Sequence, residues 1–212
     1  MQIGQEAIDL IIKFEVGGGQ RYFEKYLARP SWPGGASGVT IGIGYDLGYD
    51  KKFEEDWKPK LAEDDYNRLY RTLGLTGQRA KAAISGVRDI IITWADSMDV
   101  FTNSTLPVYI TQTVQAFPNS DKLPPNAFGA LVSLVFNRGP AIDNSDRRRE
   151  MKAIHDILLD GNDDIVDEDD IRKIAAQVKS MARLWADDPD SDGDLHDRRI
   201  AEANLILSCL KS

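Results

Sequence analysis

Cysteine is almost missing from this chain: Cys209 is the only one in 212 residues. A lone cysteine closes no internal disulfide, so a packed core must hold the fold, and no oxidising compartment is implied. Long apolar runs are missing too. None approaches the roughly 18 residues of a spanning helix, so membrane insertion is not expected. The opening Met1-Gln2-Ile3-Gly4-Gln5-Glu6 lacks the basic start and apolar stretch of a signal peptide, and synthesis in the cytoplasm is expected. No basic stripe is interleaved with aromatics, which argues against a nucleic-acid partner. Arg147-Arg148-Arg149, the longest basic run, opens a helical pattern and reads as a solvated face. His155 and His196 have no metal-ligand spacing, so neither a metal nor a cofactor is expected.

What is present suits a globular protein. Hydrophobic residues make up 42% and charged residues 28%, close to the average for folded domains. The net charge of −8 is concentrated: residues 156–197 hold 14 acids against 4 bases. Residues 4–16 predict a helix, with Ile8, Ile11 and Ile12 as its apolar stripe and Gly17-Gly18-Gly19 as its stop. Residues 20–50 mix glycine, proline and aromatics with short β-like runs, the texture of a small sheet with tight turns. Helical patterns follow over 61–73, 77–95, 105–116, 125–137, 146–159, 167–184 and 194–210. The stretch 127–136 is apolar nearly all round and predicts a buried central helix. The expected fold is α+β, mostly helical, with a small antiparallel lobe. It is read as one domain: a first helix over 1–16, a β-containing lobe over 17–50 and a helical lobe over 51–212.

Three residues could carry chemistry. Glu15 lies seven residues after Ile8, on the apolar face of the first helix, where a carboxylate needs a task or a partner. Partial burial and the negative end of the helix dipole would both favour its protonated form, as a general acid requires. Pairing with a Lys or Arg is the other reading. In Val39-Thr40-Ile41-Gly42-Ile43-Gly44-Tyr45-Asp46 a straight strand would hold Thr40 and Asp46 about 20 Å apart. A three-residue hairpin loop over Gly42-Ile43-Gly44 would instead pair Ile41 with Tyr45 and set Thr40 opposite Asp46. Opposed residues share a face with Cβ atoms roughly 4.5–5.5 Å apart, close enough to hold one water. A plain hairpin whose Asp caps a turn is the alternative.

Other features admit two readings each. Asp188, Asp190 and Asp192 with Gly193 fit the first half of a calcium loop. Its twelfth position, however, is Arg199 where a Glu is needed, and a solvated acidic loop is the simpler reading. Tyr22 and Trp32 could stack on sugar rings or pack in a core. Asn137 and Arg138 close the buried helix, as cleft residues or as a cap.

The order Phe14-Glu15, a glycine-rich segment with Tyr22, then Thr40-Ile41-Gly42-Ile43-Gly44 resembles the phage-type lysozymes. These are muramidases with a Glu at the end of the first helix. Ala130-Leu131-Val132-Ser133-Leu134-Val135-Phe136-Asn137-Arg138-Gly139 is similar to that family's buried helix ending in Phe-Asn-x-Gly. Trp185, Gly193 and Asp197-Arg198-Arg199-Ile200-Ala201-Glu202-Ala203 resemble its closing helix. The phage pattern places an Asp nine residues after the Glu and a Thr fifteen after. Here Glu24 stands at the first position and Thr40 comes twenty-five on, with Arg29–Gly35 as the core of the insertion. Tyr45 replaces the usual His, and Asp46 follows it. That arrangement is similar to pesticin-like bacterial lysozymes, which place a functional Asp six residues after the Thr.

The resemblance implies a lysozyme-like fold and hydrolysis of the β-1,4 bond between N-acetylmuramic acid and N-acetylglucosamine in peptidoglycan. It implies Glu15 as acid, Thr40 and Asp46 as the water-positioning pair, and Glu24 as the rival second carboxylate. Tyr22, Trp32, Tyr45, Asn137 and Arg138 become the expected substrate contacts. A monomeric bacteriolytic effector, toxin or endolysin domain is implied, carried to the periplasm or wall by a holin or secretion machinery. A cognate immunity protein would be its partner. A lysozyme-like wall-binding module without catalysis is the alternative.

Overall fold

Apolar residues at spacings of three and four (Ala7, Ile8, Ile11 and Ile12) wind the first stretch into α1 (Gln5–Val16), with Ala7, Ile11 and Val16 fully buried. The computed structural model describes residues 2–17, 19–159, 166–185 and 194–210. The described residues are mostly helical, with one two-stranded antiparallel sheet, an α+β composition. The chain divides into two compact units: Met1–Phe14 with Val108–Ser212, and Glu15–Pro107.

The unit over Glu15–Pro107 carries the sheet. It begins with α2 (Gln20–Tyr26), a helix where the sequence predicted β texture; Phe23 is its buried anchor and packs edge-on against Trp94 at 5.3 Å. β1 (Thr40–Ile41) and β2 (Tyr45–Asp46) form the hairpin, and Ser31 bridges Thr40 on the other side. Then come α3 (Phe53–Trp57), α4 (Glu63–Tyr70), α5 (Gly77–Ala83) and α6 (Trp94–Val100), followed by a π-helical turn over Phe101–Thr105. The texture change at residue 50 is not where this unit stops. Trp57 meets the Tyr45 ring at 5.7 Å, and the Gly74 and Gly77 amides donate to Leu47 and Ser37 carbonyls, so the helices after the hairpin complete its core.

The helix predicted over 77–95 is two shorter ones. α5 ends in a 3-10 turn at Gly86, and α6 starts afresh at Trp94, with the Thr93 hydroxyl accepting the Asp96 amide at 3.1 Å. Between them Ile90 and Ile92 are buried while Ile91 is exposed, a period of two that marks extended chain. The Ile92 amide donates to Ala28 at 2.8 Å. A glycine and a β-branched run break the helix that the overall hydropathy suggested.

The other unit is helical. It holds α1 up to Phe14, most of α7 (Leu106–Ala116), then α8 (Pro125–Arg138), α9 (Arg149–Leu159), α10 (Glu168–Ser180) and α11 (Asp194–Ser208). α8 is buried without interruption from Ala127 to Val135, as its uniform apolarity predicts. Pro125 opens it and Gly139, at φ 76°, ends it. Gly129 lets α1 approach, because a Cβ there would lie 2.3 Å from that of Ala7. α10 starts with a capping box, Asp167 and Asp170 each taking the other's backbone amide.

Two buried charge clusters sit in this unit. Glu202 Oε1 accepts from the Ser133 hydroxyl at 2.6 Å, Arg199 Nη2 at 2.9 Å and Arg198 Nε at 3.3 Å. Burial pushes the Glu202 carboxyl up, against the pull of both guanidiniums and Ser133. Glu150, only 1% exposed, accepts from Arg183 Nε at 2.6 Å and Arg149 Nε at 3.0 Å. Burial works against its charge, but the hydrogen bonds from Arg183 and Arg149 outweigh it and hold the carboxyl below its ordinary 4.5. A carboxyl depressed in the folded state stabilises fully above its unfolded value, and loses that contribution as pH falls through the folded one. The thermal midpoint is therefore expected to drop as pH is lowered from about 5 to 3, and Glu150→Gln to show a shallower drop over that window. Equal slopes for the two proteins in a pH series of melting curves would remove Glu150 from the account.

Candidate active site

The hairpin register is the core of the site. Thr40 pairs with Asp46 and Ile41 with Tyr45, across the loop Gly42-Ile43-Gly44. Gly42 and Gly44 take φ of 57° and 69°, left-handed values that favour glycine, while Ile43 between them is buried and anchors the loop. Both backbone polar groups of Thr40 are used by Ser31, at 2.8 and 3.0 Å. Thr40 and Asp46 thus form a non-hydrogen-bonded pair, the type with the closer side chains, Cα atoms about 4.5 Å apart. Both are half-buried.

Asp46 is also a structural hub. Its Oδ1 accepts from the Gly48 amide at 2.8 Å and the Gly38 amide at 3.0 Å, and Oδ2 takes a 3.1 Å contact from Gly38. Oδ1 is saturated by these bonds; Oδ2 keeps acceptor capacity for a water or a hydroxyl. The cradle depends on two glycines that the sequence reading passed over in favour of Gly42 and Gly44. A Cβ on Gly38 would lie 2.2 Å from Asp46 Oδ1 and 2.3 Å from the Gly48 amide. Gly38→Ala is accordingly expected to expel the Asp46 carboxylate and cost about 1–3 kcal/mol, a midpoint loss of roughly 2–4 °C per kcal/mol. An unchanged melting curve would show that the cradle does not hold the hairpin.

Glu15 occupies the last turn of α1, half-buried, and is engaged by a partner group. Glu24 is exposed on α2 and accepts from Gln20 Nε2 at 2.8 Å, a local helix-surface contact. Tyr22 is 41% exposed with its ring 4.7 Å from that of Tyr26. Trp32 is half-buried: its indole N–H donates to the Ser37 carbonyl at 3.1 Å, and Lys81 Nζ lies 5.2 Å from the ring centre.

Tyr45 lies in the interior at 3% exposure, which assigns it to packing instead of to a sugar-binding surface. Its hydroxyl lies 2.7 Å from Asp50 Oδ1 and 2.8 Å from Asp56 Oδ2. Burial, with these two carboxylates, pushes the phenol up and keeps it neutral. The Ser104 hydroxyl binds the other oxygen of Asp56. This network lies outside the sequence reading; an Asp four residues after Asp46 and another inside a short helix carry no local signal.

A family model described as Domain of unknown function (DUF8812) matches residues 11–119, just over half of the chain. The chain belongs to the DUF8812 family. A comparison with curated proteins finds no match. The DUF8812 stretch contains Glu15, Glu24, Thr40 and Asp46, together with the Gly38–Gly48 cradle and the Tyr45 network.

Beyond the DUF8812 stretch lie Asn137 and Arg138, both half-buried at the end of α8, with the Arg138 guanidinium 5.2 Å from the Trp185 ring centre. The Arg147–Arg149 run is not simply a solvated face. Arg148 is half-buried and donates to the Arg138 carbonyl at 2.6 Å, capping α8 from the next element. The calcium-like Asp188, Asp190 and Asp192 lie outside the described residues. Among the described residues no three His, Cys, Asp or Glu side chains are grouped to hold a metal, and no helix is long and apolar enough to cross a membrane.

Proposed function

We propose that this DUF8812 protein is a lysozyme-like peptidoglycan hydrolase that cleaves the β-1,4 bond between N-acetylmuramic acid and N-acetylglucosamine. The observation that carries the reading is the hairpin register, since Thr40 opposite Asp46 is what a shared catalytic water requires. In this mechanism Glu15 gives its carboxyl proton to the leaving oxygen. Asp46 Oδ2, with the Thr40 hydroxyl, orients the attacking water and takes its proton. A water held between acid and base implies inversion, with the carboxyls roughly 6.5–9.5 Å apart, in contrast to the about 5 Å of a covalent route. Exposed Tyr22 and half-buried Trp32 are the aromatic surfaces offered to sugar rings. The setting proposed is bacteriolysis by an effector or endolysin delivered to the wall, with an immunity protein as the producer's safeguard.

Mass spectrometry of muropeptides after digestion of purified walls tests this reading. The expected products carry a reducing N-acetylmuramic acid end; anhydro-muropeptides or intact strands overturn it. Asp46→Asn and Glu24→Gln, assayed alongside, identify the second carboxylate, with loss expected in the first and retention in the second. One observation favours a second reading, a wall-binding module without catalysis: Asp46 already serves three backbone amide contacts. That reading predicts sedimentation of the protein with walls and no release of reducing sugar.

A further inference from the structure

A cavity of about 400 Å³ in the helical unit is lined by Asn137, Arg138, Ser145, Arg147, Arg148 and Trp185. That is within the size range of small-molecule sites. Three arginines and one carboxylate, Asp143, line it. Arg148 spends its donors on neutral acceptors: the Arg138 and Gly139 carbonyls at 2.6 and 3.4 Å, and Met151 Sδ at 2.9 Å. Arg138 Nη2 donates to the Arg147 carbonyl, and its buried Nε has no partner. Arg199, fully buried behind the same Trp185 ring, leaves Nε and Nη1 unpartnered.

Among the described residues, the acid that bonds a guanidinium of this group is Glu202, which holds Arg199 Nη2 at 2.9 Å. Asp143, on the cavity wall, turns Oδ1 to the Ser145 amide at 2.8 Å, and Glu150 is held by Arg183 and Arg149. Burial, then the repulsion of Arg148, Arg199 and Arg147, pulls the Arg138 guanidinium down to about 10. A buried guanidinium N–H left without an acceptor, as at Arg138 Nε, beside two further arginines is a costly arrangement unless an anion completes it.

We propose that this cavity is a binding site for an oxyanion, a carboxylate or a phosphate carried on a small ligand, with Arg147 and Arg138 Nε as its donors and Trp185 as the apolar wall. Planar guanidiniums match both groups with paired hydrogen bonds. Its lining includes none of Glu15, Thr40 and Asp46, so its existence does not depend on what those residues hydrolyse.

Calorimetric titration at fixed ionic strength with inorganic phosphate, N-acetylmuramic acid and N-acetylglucosamine tests the site and separates the two sources. The two anionic probes differ in head group; the neutral sugar controls for sugar binding. Saturable binding of phosphate, of N-acetylmuramic acid or of both, weakening as chloride is raised, supports the proposal and names the preferred head group. Arg147→Ala, at an exposed side chain whose backbone carbonyl remains for Arg138, is expected to weaken that binding tenfold or more. Anion binding should also shift the Arg138 Nε–H resonance, identified by its absence in Arg138→Lys. No binding of either anion, equal binding by Arg147→Ala, or an Arg138 Nε–H signal that stays put would each overturn the assignment.

Discussion

Glu15→Gln is expected to abolish turbidity loss of purified walls, lowering the rate by about 10²–10⁴, the usual contribution of a positioned acid. Glutamine keeps the size and hydrogen-bonding reach of the side chain but has no proton to give to a leaving oxygen. The variant should stay folded, since the amide has the same size and shape at this half-buried position. Activity and melting curves measured on one preparation distinguish this from unfolding. Undiminished wall hydrolysis by the variant would take the acid role from Glu15.

The largest loss of stability is expected from Glu202→Ala. Arg198 and Arg199 are almost wholly buried, and Glu202 is the carboxylate that faces both. Truncating it strands the Arg199 guanidinium in the interior and takes one partner from Arg198, which costs about 3–5 kcal/mol. The hydroxyl of Ser133, which donates to the same oxygen at 2.6 Å, loses its acceptor as well. The midpoint should fall by roughly 2–4 °C for each kcal/mol. Replacing Glu202 and Arg199 together by apolar residues of similar volume should cost less, since the pair then leaves no stranded charge of its own. A Glu202→Ala protein that melts with the parent would show that the cluster is neutral to folding.

Much of this fold is legible in the sequence because its signals are local. α8 announces itself by an unbroken apolar run between a proline pair and Asn-Arg-Gly. The hairpin register follows from two glycines spaced to form a three-residue loop, and it brings Thr40 to Asp46 without help from the rest of the chain. What escapes is decided by partners distant in sequence. α2 is too short for periodicity to speak, and Phe23 is fixed by Trp94. Tyr45 looks like a surface aromatic until Asp56 and Trp57 close over it. Arg148 belongs to a basic triplet, yet its guanidinium ends the preceding helix; only the fold shows which of three neighbouring arginines turns inward. The 77–95 stretch failed for the opposite reason, as average hydropathy masked an alternation at Ile90, Ile91 and Ile92.

The helical unit is discontinuous: α1 belongs with residues more than a hundred positions further along, where Gly4 bonds Pro125 and Ala7 seats against Gly129. On a ribosome adding about 5–20 residues per second, that leaves the first helix waiting on the order of ten seconds for its site. The unit over Glu15–Pro107 is translated in the interval and can fold while Ala7 and Ile11 are still bare. Nascent chains halted before Pro125 should therefore still expose the apolar face of the first helix.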